Sequence, residues 1–278
     1  MIDIEKLKIK TERLEIRPLK EADFPSFRTY VANRSEAEAK GLLLKTLNDR
    51  DTVGLFIDGE LAGAILFYQQ KEYSVHLGYS IRKDYRNRGL MTEALKAVTA
   101  GLFFLQGIRE IMVEVAEDNL PSRSAVSKAG FRESGRKDDK IIFRLKDEEP
   151  VYIVAGDEML KIMKEKYPER KAIPFREDLS RGIWEGYQFS DDFIAGRARY
   201  WETDSEAYRE SMQPIRELDI NKQYVLCFGE DACCKANLNF MVNYLKEMGY
   251  AFAIRVQIVD ELTLAIIRKY IICTNDGC

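Results

Sequence analysis

The sequence predicts an α/β protein in two parts. A mixed-sheet α+β domain occupies residues 1–147, and a second α/β domain with a partly parallel sheet occupies 148–278. Three observations predict this. Strand-like and helix-like runs alternate along the chain. Strands pass into helices through glycine-bearing turns near 89, 156 and 229. A charged stretch ending in proline, LKDEEP at 145–150, separates two lengths of chain that are each long enough for a core.

The elements of the first part read in order. LEIRPL (14–19) is a strand. Asp23 to Ala32 and Ser35 to Leu47 are helices, with Ser35 as a capping residue. Thr52 to Ile57 and Leu61 to Tyr68 flank Asp58-Gly59, a dipeptide that favours a tight hairpin. From Tyr73 to Ile81, Tyr73, Val75, Leu77, Tyr79 and Ile81 alternate as in a half-buried strand. Thr92 to Leu105 is a helix, Glu110 to Val115 a strand, and Pro121 to Lys128 a helix stopped at Gly130. Phe131 to Leu145 forms two strands around Lys137-Asp138-Asp139. Such an order gives a mixed sheet with helices on both faces. The second part reads as strand 151–155, helix 157–167, strand 171–175, helices 191–200 and 204–216, strand 223–228, helix 232–247 and strand 251–257.

Composition removes several function classes. Hydrophobic residues make up 46% of the chain, enough for ordinary cores, so disorder is excluded. A net charge of -3 argues against a dedicated nucleic-acid binder. No apolar run approaches the roughly 20 residues that span a bilayer, and MIDIEKLKIK lacks a signal-peptide core. The expectation is a cytoplasmic protein with neither membrane nor nucleic acid among its partners. All five cysteines (Cys227, Cys233, Cys234, Cys273, Cys278) lie in the second part, in no zinc-binding spacing. Reduced thiols and no metal are expected.

The chemistry concentrates between Tyr79 and Phe131. Arg86-Asn87-Arg88-Gly89-Leu90-Met91 leads from a strand into a helix that continues with Thr92. Unpaired backbone N–H groups converge at a helix N-terminus, and the helix dipole adds positive partial charge, so such a junction takes anions. Gly89 lets the backbone approach a phosphate with no Cβ in the way. Arg82, Lys83, Arg86 and Arg88 place four cations beside it. About thirty residues later, Asn119-x-x-Ser122 opens a second helix. Either junction alone is also an ordinary turn; together, in this order, they can grip one phosphorylated ligand.

These residues resemble the acyl-CoA-dependent N-acetyltransferases of the GCN5-related superfamily, in the branch of the ribosomal-protein N-terminal acetyltransferases. The resemblance covers 1–147. The family loop reads Arg/Gln-x-x-Gly-x-Gly/Ala; Arg86 and Gly89 fill their places, and Met91 departs from the last. Thr92-Glu93-Ala94 matches a continuation frequent in the branch. The resemblance implies acetyl-CoA as co-substrate, with its pyrophosphate against Arg86, Asn87, Arg88, Gly89, Leu90, Met91 and Thr92. It implies a pantetheine arm lying like an added strand beside Tyr79, Ile81 and Lys83, and Asn119 and Ser122 at its far end. It also implies direct transfer of acetyl to a primary amine, on a small molecule or a protein N-terminus.

Amide formation needs a neutral amine, a stabilised oxyanion and a proton for the departing thiolate. Many members draw that proton from a tyrosine seven residues after the asparagine, where this chain has Val126. The Asn-x-x-Ser pattern of the branch makes Ser122 the candidate acid instead. Glu114, near the end of its strand, is the candidate base. Each has a plainer reading: Asn119 and Ser122 as helix-start residues, Glu114 as a solvent-facing strand residue. His76, the only histidine, reads as structural.

In the second part Gly156-Asp157, Asp178-Leu179-Ser180-Arg181-Gly182 and Gly229-Glu230-Asp231 resemble an uncharacterised bacterial α/β domain family, over roughly 148–260. No activity comes with that resemblance. Acidic residues at strand ends suit a metal or polar ligand and also suit helix caps, which is the favoured reading. Trp184, Tyr187, Phe189, Phe193, Tyr200 and Trp201 read as core or interface aromatics. The rival to an enzyme is a CoA-binding or partner-binding module whose catalysis has lapsed and whose second domain carries the function.

Overall fold

The computed structural model describes residues 2–183, 186–250 and 252–273. Two compact units divide between Asp147 and Glu148, inside the charged stretch 145–150, and the second ends at Ile272.

The first unit runs β1 (Ile9–Lys10), β2 (Glu15–Pro18), α1 (Phe24–Tyr30), α2 (Glu36–Asp49), β3 (Thr52–Ile57), β4 (Glu60–Tyr68), β5 (Ser74–Ile81), α3 (Leu90–Gln106), β6 (Glu110–Ala116), α4 (Leu120–Lys128), β7 (Arg132–Lys137) and β8 (Lys140–Lys146). Its strands form one mixed sheet in the order β1-β2-β3-β4-β5-β6-β8-β7. The pairing of β5 with β6 is parallel, and the neighbouring β4–β5 and β6–β8 pairs are antiparallel. Local signals explain the elements. Ser35 caps α2 in a reciprocal box, its hydroxyl accepting from the Glu38 amide while the Glu38 carboxylate accepts from the Ser35 amide at 2.7 Å. Asp58 and Gly59 both hold positive φ, 49° and 82°, as a tight hairpin turn requires. The two-residue β1 was not legible, being too short for periodicity to register.

Alternation sorts the sheet's residues onto two faces. Val75, Leu77 and Tyr79 of β5 share one face with Val113 and Val115 of β6, and α4 lies over it, bonded through Ser122 to Tyr79. Tyr68, His76, Ser80, Met112 and Glu114 share the other. There α1 approaches, with the Tyr30 hydroxyl against Ser80 Oγ.

The second unit runs β9 (Val151–Ala155), α5 (Gly156–Lys166), β10 (Ala172–Phe175), α6 (Asp191–Tyr200), α7 (Ser205–Ser211), α8 (Gln213–Arg216), β11 (Tyr224–Phe228), α9 (Ala232–Glu247), β12 (Ile254–Val259) and β13 (Ile266–Ile272). Its sheet has the order β10-β9-β11-β12-β13, parallel through β12 and antiparallel at β13. One core, including Val154, Met159, Met163 and Cys227, packs α5 on the sheet; another, including Ile194, Met212, Phe228 and Met241, packs the later helices.

Three details depart from expectation. The helix expected over 204–216 is two, because Pro214 has no amide hydrogen to continue the first and sits in the opening turn of α8. The strand expected at 251–257 is β12, shifted to Ile254–Val259, and Ala251 lies outside the described residues. The edge strand β13 was not foreseen; its first four residues are all exposed, so it shows no in–out alternation. Trp184 also lies outside the described residues; of the other aromatics in that stretch, Phe189 and Phe193 pack in the core as expected, but Tyr187, Tyr200 and Trp201 are exposed, against the reading of the whole stretch as core. Cys227, Cys233 and Cys234 are free thiols; Cys273 is disulfide-bonded, against the expectation of reduced thiols throughout.

Candidate active site

The centre of the first unit is a fork. Among the described residues, β5 pairs with β6 only from Ser74–Glu110 to Leu77–Val113. Beyond that point β5 continues to Ile81 on β4, and β6 continues to Ala116 on β8. The backbones of 78–81 and 114–116 therefore face a slot in which neither is paired to the other. Tyr79 and Ile81, expected beside a pantetheine arm, lie on the β5 side of that slot; Lys83 follows in a short 3-10 turn.

At the slot's outer end the chain turns into α3. Asn87 and Gly89 are left-handed, with φ of 60° and 75°, and Gly89 caps the helix without a side-chain hydrogen bond. The opening amides of α3, at Leu90, Met91 and Thr92, thus lack the side-chain acceptor that Ser35 and Asn119 give to α2 and α4. A Cβ on Gly89 would meet only the Arg13 guanidinium, at 3.5 Å. Lys83, Arg86 and Arg88 are exposed around it, and Arg86 Nε donates to the Ile81 carbonyl at 3.3 Å. Arg82 is committed elsewhere, to Asp84 at 2.6 Å and Glu60 at 3.8 Å, so three of the four expected cations face outward. Leu90 and Met91 are buried, so the departure at Met91 places its side chain in the core rather than over the loop. These features fit a ligand with several phosphate charges: open amides, a residue without a Cβ, and three exposed cations.

The sequence reading missed what holds this loop. Glu93, 3% exposed in the first turn of α3, accepts from the Thr11 hydroxyl at 2.5 Å and from the Arg13 amide at 3.1 Å. It also pairs with the Arg13 guanidinium at 2.5 Å, and Arg13 Nη1 donates to the Arg88 carbonyl at 2.7 Å. A chain segment eighty residues away thereby fixes the loop's exit. An acidic residue in a helix's first turn is the available signal, but its partner is not readable from spacing.

At the slot's inner end Asn119 caps α4, its Oδ1 accepting from the Ser122 amide at 3.2 Å. Ser122 Oγ lies 2.6 Å from the Tyr79 hydroxyl. The structure thus joins two residues named separately, through the Tyr79 phenol. Burial pushes the Tyr79 phenol above its ordinary value, against the hydrogen bond to Ser122, so it stays protonated. Val126, where the family tyrosine would stand, is fully buried. Thr92 donates to the Ala125 carbonyl at 3.5 Å, tying α3 to α4.

Glu114 occupies the opposite face of the sheet from Ser122, 3.6 Å from Lys140. The fork therefore has a hydroxyl pair on one face and a carboxylate on the other.

In the second unit the Asp-Leu-Ser segment begins with Asp178, whose Oδ1 accepts from the Ser180 amide at 3.1 Å. Asp231 caps α9, accepting from the Cys234 amide at 2.6 Å, and Asp157 pairs with Arg176 at 2.9 Å. Donor atoms of Asp231, Cys234 and Glu261 lie within 4.8 Å of one another. Burial and then the nearby Asp231 push the Glu261 carboxyl above its ordinary value.

Residues 13–132 match the family model of the acetyltransferase (GNAT) domain. An uncharacterized N-acetyltransferase of Bacillus subtilis (strain 168), YnaD, is 26% identical over 142 residues, spanning 46% of this chain and 84% of that protein. A GNAT-family acetyltransferase from Bacillus anthracis is 20% identical over 50% of this chain and 97% of its own, with a TM-score of 0.44. A ribosomal-protein-S5-alanine acetyltransferase from Vibrio fischeri is 17% identical over 51% of this chain and 97% of its own, with a TM-score of 0.46. Residues 13–132 accordingly carry an acetyltransferase (GNAT) domain. The chain is an acetyltransferase enzyme. No described helix is long and apolar enough to cross a membrane.

Proposed function

We propose that the β5–β6 fork binds acetyl-CoA and passes its acetyl group directly to a primary amine, on a small molecule or a protein N-terminus. The observation that carries this reading is the Tyr79–Ser122 hydroxyl pair, 2.6 Å apart, at the end of a slot whose other end is the open start of α3. The phosphates lie against 86–92, where Lys83, Arg86 and Arg88 add charge. The pantetheine arm lies along 78–81, using backbone groups that β6 does not pair.

Proton movements follow from the two faces. Ser122 gives a hydrogen bond or a proton to the sulfur as the C–S bond breaks, and Tyr79, kept protonated by burial, replenishes it. The phenol that the family places on the last helix is supplied here from β5. Glu114 bears on the amine's side of the sheet and favours loss of the amine proton. In the same reading residues 1–147 hold the whole acetyl-CoA site, and 148–272 form a second domain with a separate task.

Calorimetric titration of the full chain with CoA, followed by turnover of acetyl-CoA with a panel of primary amines and peptides, tests the reading. Binding together with turnover is expected. Binding without turnover of any amine would favour a lapsed, CoA-sensing module; absence of CoA binding would remove the slot assignment altogether.

A further inference from the structure

His76 is the one imidazole in the chain and takes no part in the scheme above. We propose that His76 is the group that receives the proton released by the attacking amine, with Glu114 as the charge beside it. The proposal rests on the fork being the acetyl-transfer site.

Placement comes first. His76 stands opposite Met112, one register position before the last pair that holds β5 to β6. Its side chain therefore lies at the base of the slot, on the face that carries Glu114 and away from Tyr79 and Ser122. A base on one face of a transfer site and an acid on the other let the amine lose its proton on one side while the departing sulfur gains one on the other.

The ring's hydrogen bonding is the second observation. His76 Nδ1 is screened from solvent and has no hydrogen-bond partner. A histidine kept for structure normally spends both nitrogens, since a shielded polar atom left unpaired costs about 1–3 kcal/mol. Here the ring is held instead by packing, tilted against Tyr68 with centroids 5.4 Å apart. One nitrogen is left for an amine or a bridging water.

The surrounding charge agrees with the geometry. Burial lowers His76 below its ordinary value; Glu114 on β6 opposes that, and Lys71, Arg144 on β8 and Lys137 on β7 add to it. Tyr68 on β4 also faces the ring, and its phenol is raised by burial and by Glu114. The imidazole is therefore neutral near pH 7 and able to accept a proton. Once it does, Glu114 supplies a compensating charge on its face.

The step balances as follows. The amine lone pair forms the C–N bond to the acetyl carbon, and the C–S bond breaks with its electron pair left on sulfur. The proton on nitrogen passes to His76, directly or through one water. Sulfur takes a proton from Ser122, backed by Tyr79; the hydroxyl pair then regains a proton from solvent as His76 releases its own to solvent, so the enzyme returns to its starting protonation.

Because the chain has one histidine, its ring protons can be followed by NMR in the full-length protein without assignment. The midpoint should fall below 6.5, and Glu114→Gln should lower it further by removing the one opposing charge. In turnover of acetyl-CoA with peptide amines, kcat/KM should fall on the acid side at that midpoint. His76→Gln should abolish the acid limb and lower kcat by roughly 10²-fold, with KM for acetyl-CoA unchanged. His76→Asn, smaller and unable to titrate, should do the same; a purely structural role would instead lower the melting temperature and leave the limb in place. An unchanged limb and kcat in a folded His76→Gln protein overturns this proposal while leaving the fork assignment standing. If the wild type binds CoA yet acetylates no amine, the function proposed above fails, and this assignment fails with it.

Discussion

In the first unit, β5 and β6 part after Leu77 and Val113, and the residues at the parting keep polar atoms with capacity to spare. In the second, β9 and β10 stay paired to Ala155 and Phe175, and the chain beyond them is packed solid around one carboxylate. Glu177, whose side chain is 1% exposed, accepts from Arg197 at 2.5 Å, from Trp201 Nε1 at 2.8 Å and from the Tyr208 hydroxyl. Arg197, fully buried, also donates to the carbonyls of Arg181 and Asp178 at 2.7 and 2.8 Å. Asn237 closes the back, donating to the Glu177 carbonyl and accepting from the Leu179 amide at 3.1 Å. The carboxyl end of parallel strands is where α/β proteins hold ligands. What differs is how far the polar groups there are already spent: around Glu177 most are bonded to one another, with Arg197 Nε the exception, whereas the groups at the fork keep more open.

The largest expected effect comes from opening the closed end. Arg197→Met removes the only guanidinium bonded to Glu177 among the described residues and leaves a buried carboxylate uncompensated, which typically costs about 3–5 kcal/mol. Urea unfolding of the full chain should show the second unit's transition moved to lower urea, with CoA binding retained. A second change, Glu177→Leu, should restore part of the loss. A variant that unfolds at the wild-type midpoint would show that this ion pair is not what seals the strand ends.

At the open end, Ser122→Ala should lower kcat about 10²-fold while leaving CoA affinity as it was. Tyr79→Phe should lower it less, since the serine hydroxyl remains and only its donor is lost. Equal kcat in wild type and Ser122→Ala, with chemistry rate-limiting, would reduce Ser122 to a member of the first turn of α4.

How far these sites were legible follows from the same contrast. The fork's outer end rests on local features (a glycine, neighbouring cations, a helix start), and these read directly from Arg86 to Thr92. Asn119 and Ser122 were visible for the same reason. The arrangements at the fork join distant segments: Tyr79 bonds Ser122, Arg13 pairs with Glu93, and His76 shares a face with Glu114. No spacing encodes them. In the second unit Gly156-Asp157 and Gly229-Glu230-Asp231 looked alike in sequence. The network that fills the neighbouring strand end comes from Arg197, Trp201 and Tyr208, twenty or more residues after Glu177, and only the fold brings them there. Cap chemistry at Asp231 was foreseen because a carboxylate three residues before an amide is a local signal.

Gly89→Asp probes the open end with a smaller change. At φ 75° a side chain is strained, and the added carboxylate faces the site of the phosphates. CoA affinity should fall tenfold or more, about 1.4 kcal/mol, in a protein whose melting temperature moves by only a few degrees. Unchanged affinity would move the pyrophosphate elsewhere.

No effect on activity is expected at the cysteines of the closed end, and their labelling separates shielding from electrostatics. Cys227 and Cys234 are buried, so they resist alkylation by access alone. Cys233 is only half-buried, one residue along α9 from Cys234 and 3.6 Å from the Glu177 carbonyl. Burial, the hydrogen bond to Asp178, and the charges of Asp178, Asp231 and Glu177 push its thiol up to about 12. The thiolate is the reactive form, so at pH 8 a group with that value is about 10⁻⁴ ionised, against roughly a quarter for an ordinary thiol. Iodoacetamide at pH 8 should therefore label Cys233 about a thousandfold more slowly in the native protein than in urea, and labelling should not alter acetyl-CoA turnover. Asp178→Asn should speed Cys233 selectively, leaving Cys227 and Cys234 as slow as before. Rapid native labelling of Cys233 would mean that the carboxylates around it do not hold its proton in place, and that the strand end beside Glu177 is less closed than its network of bonds indicates.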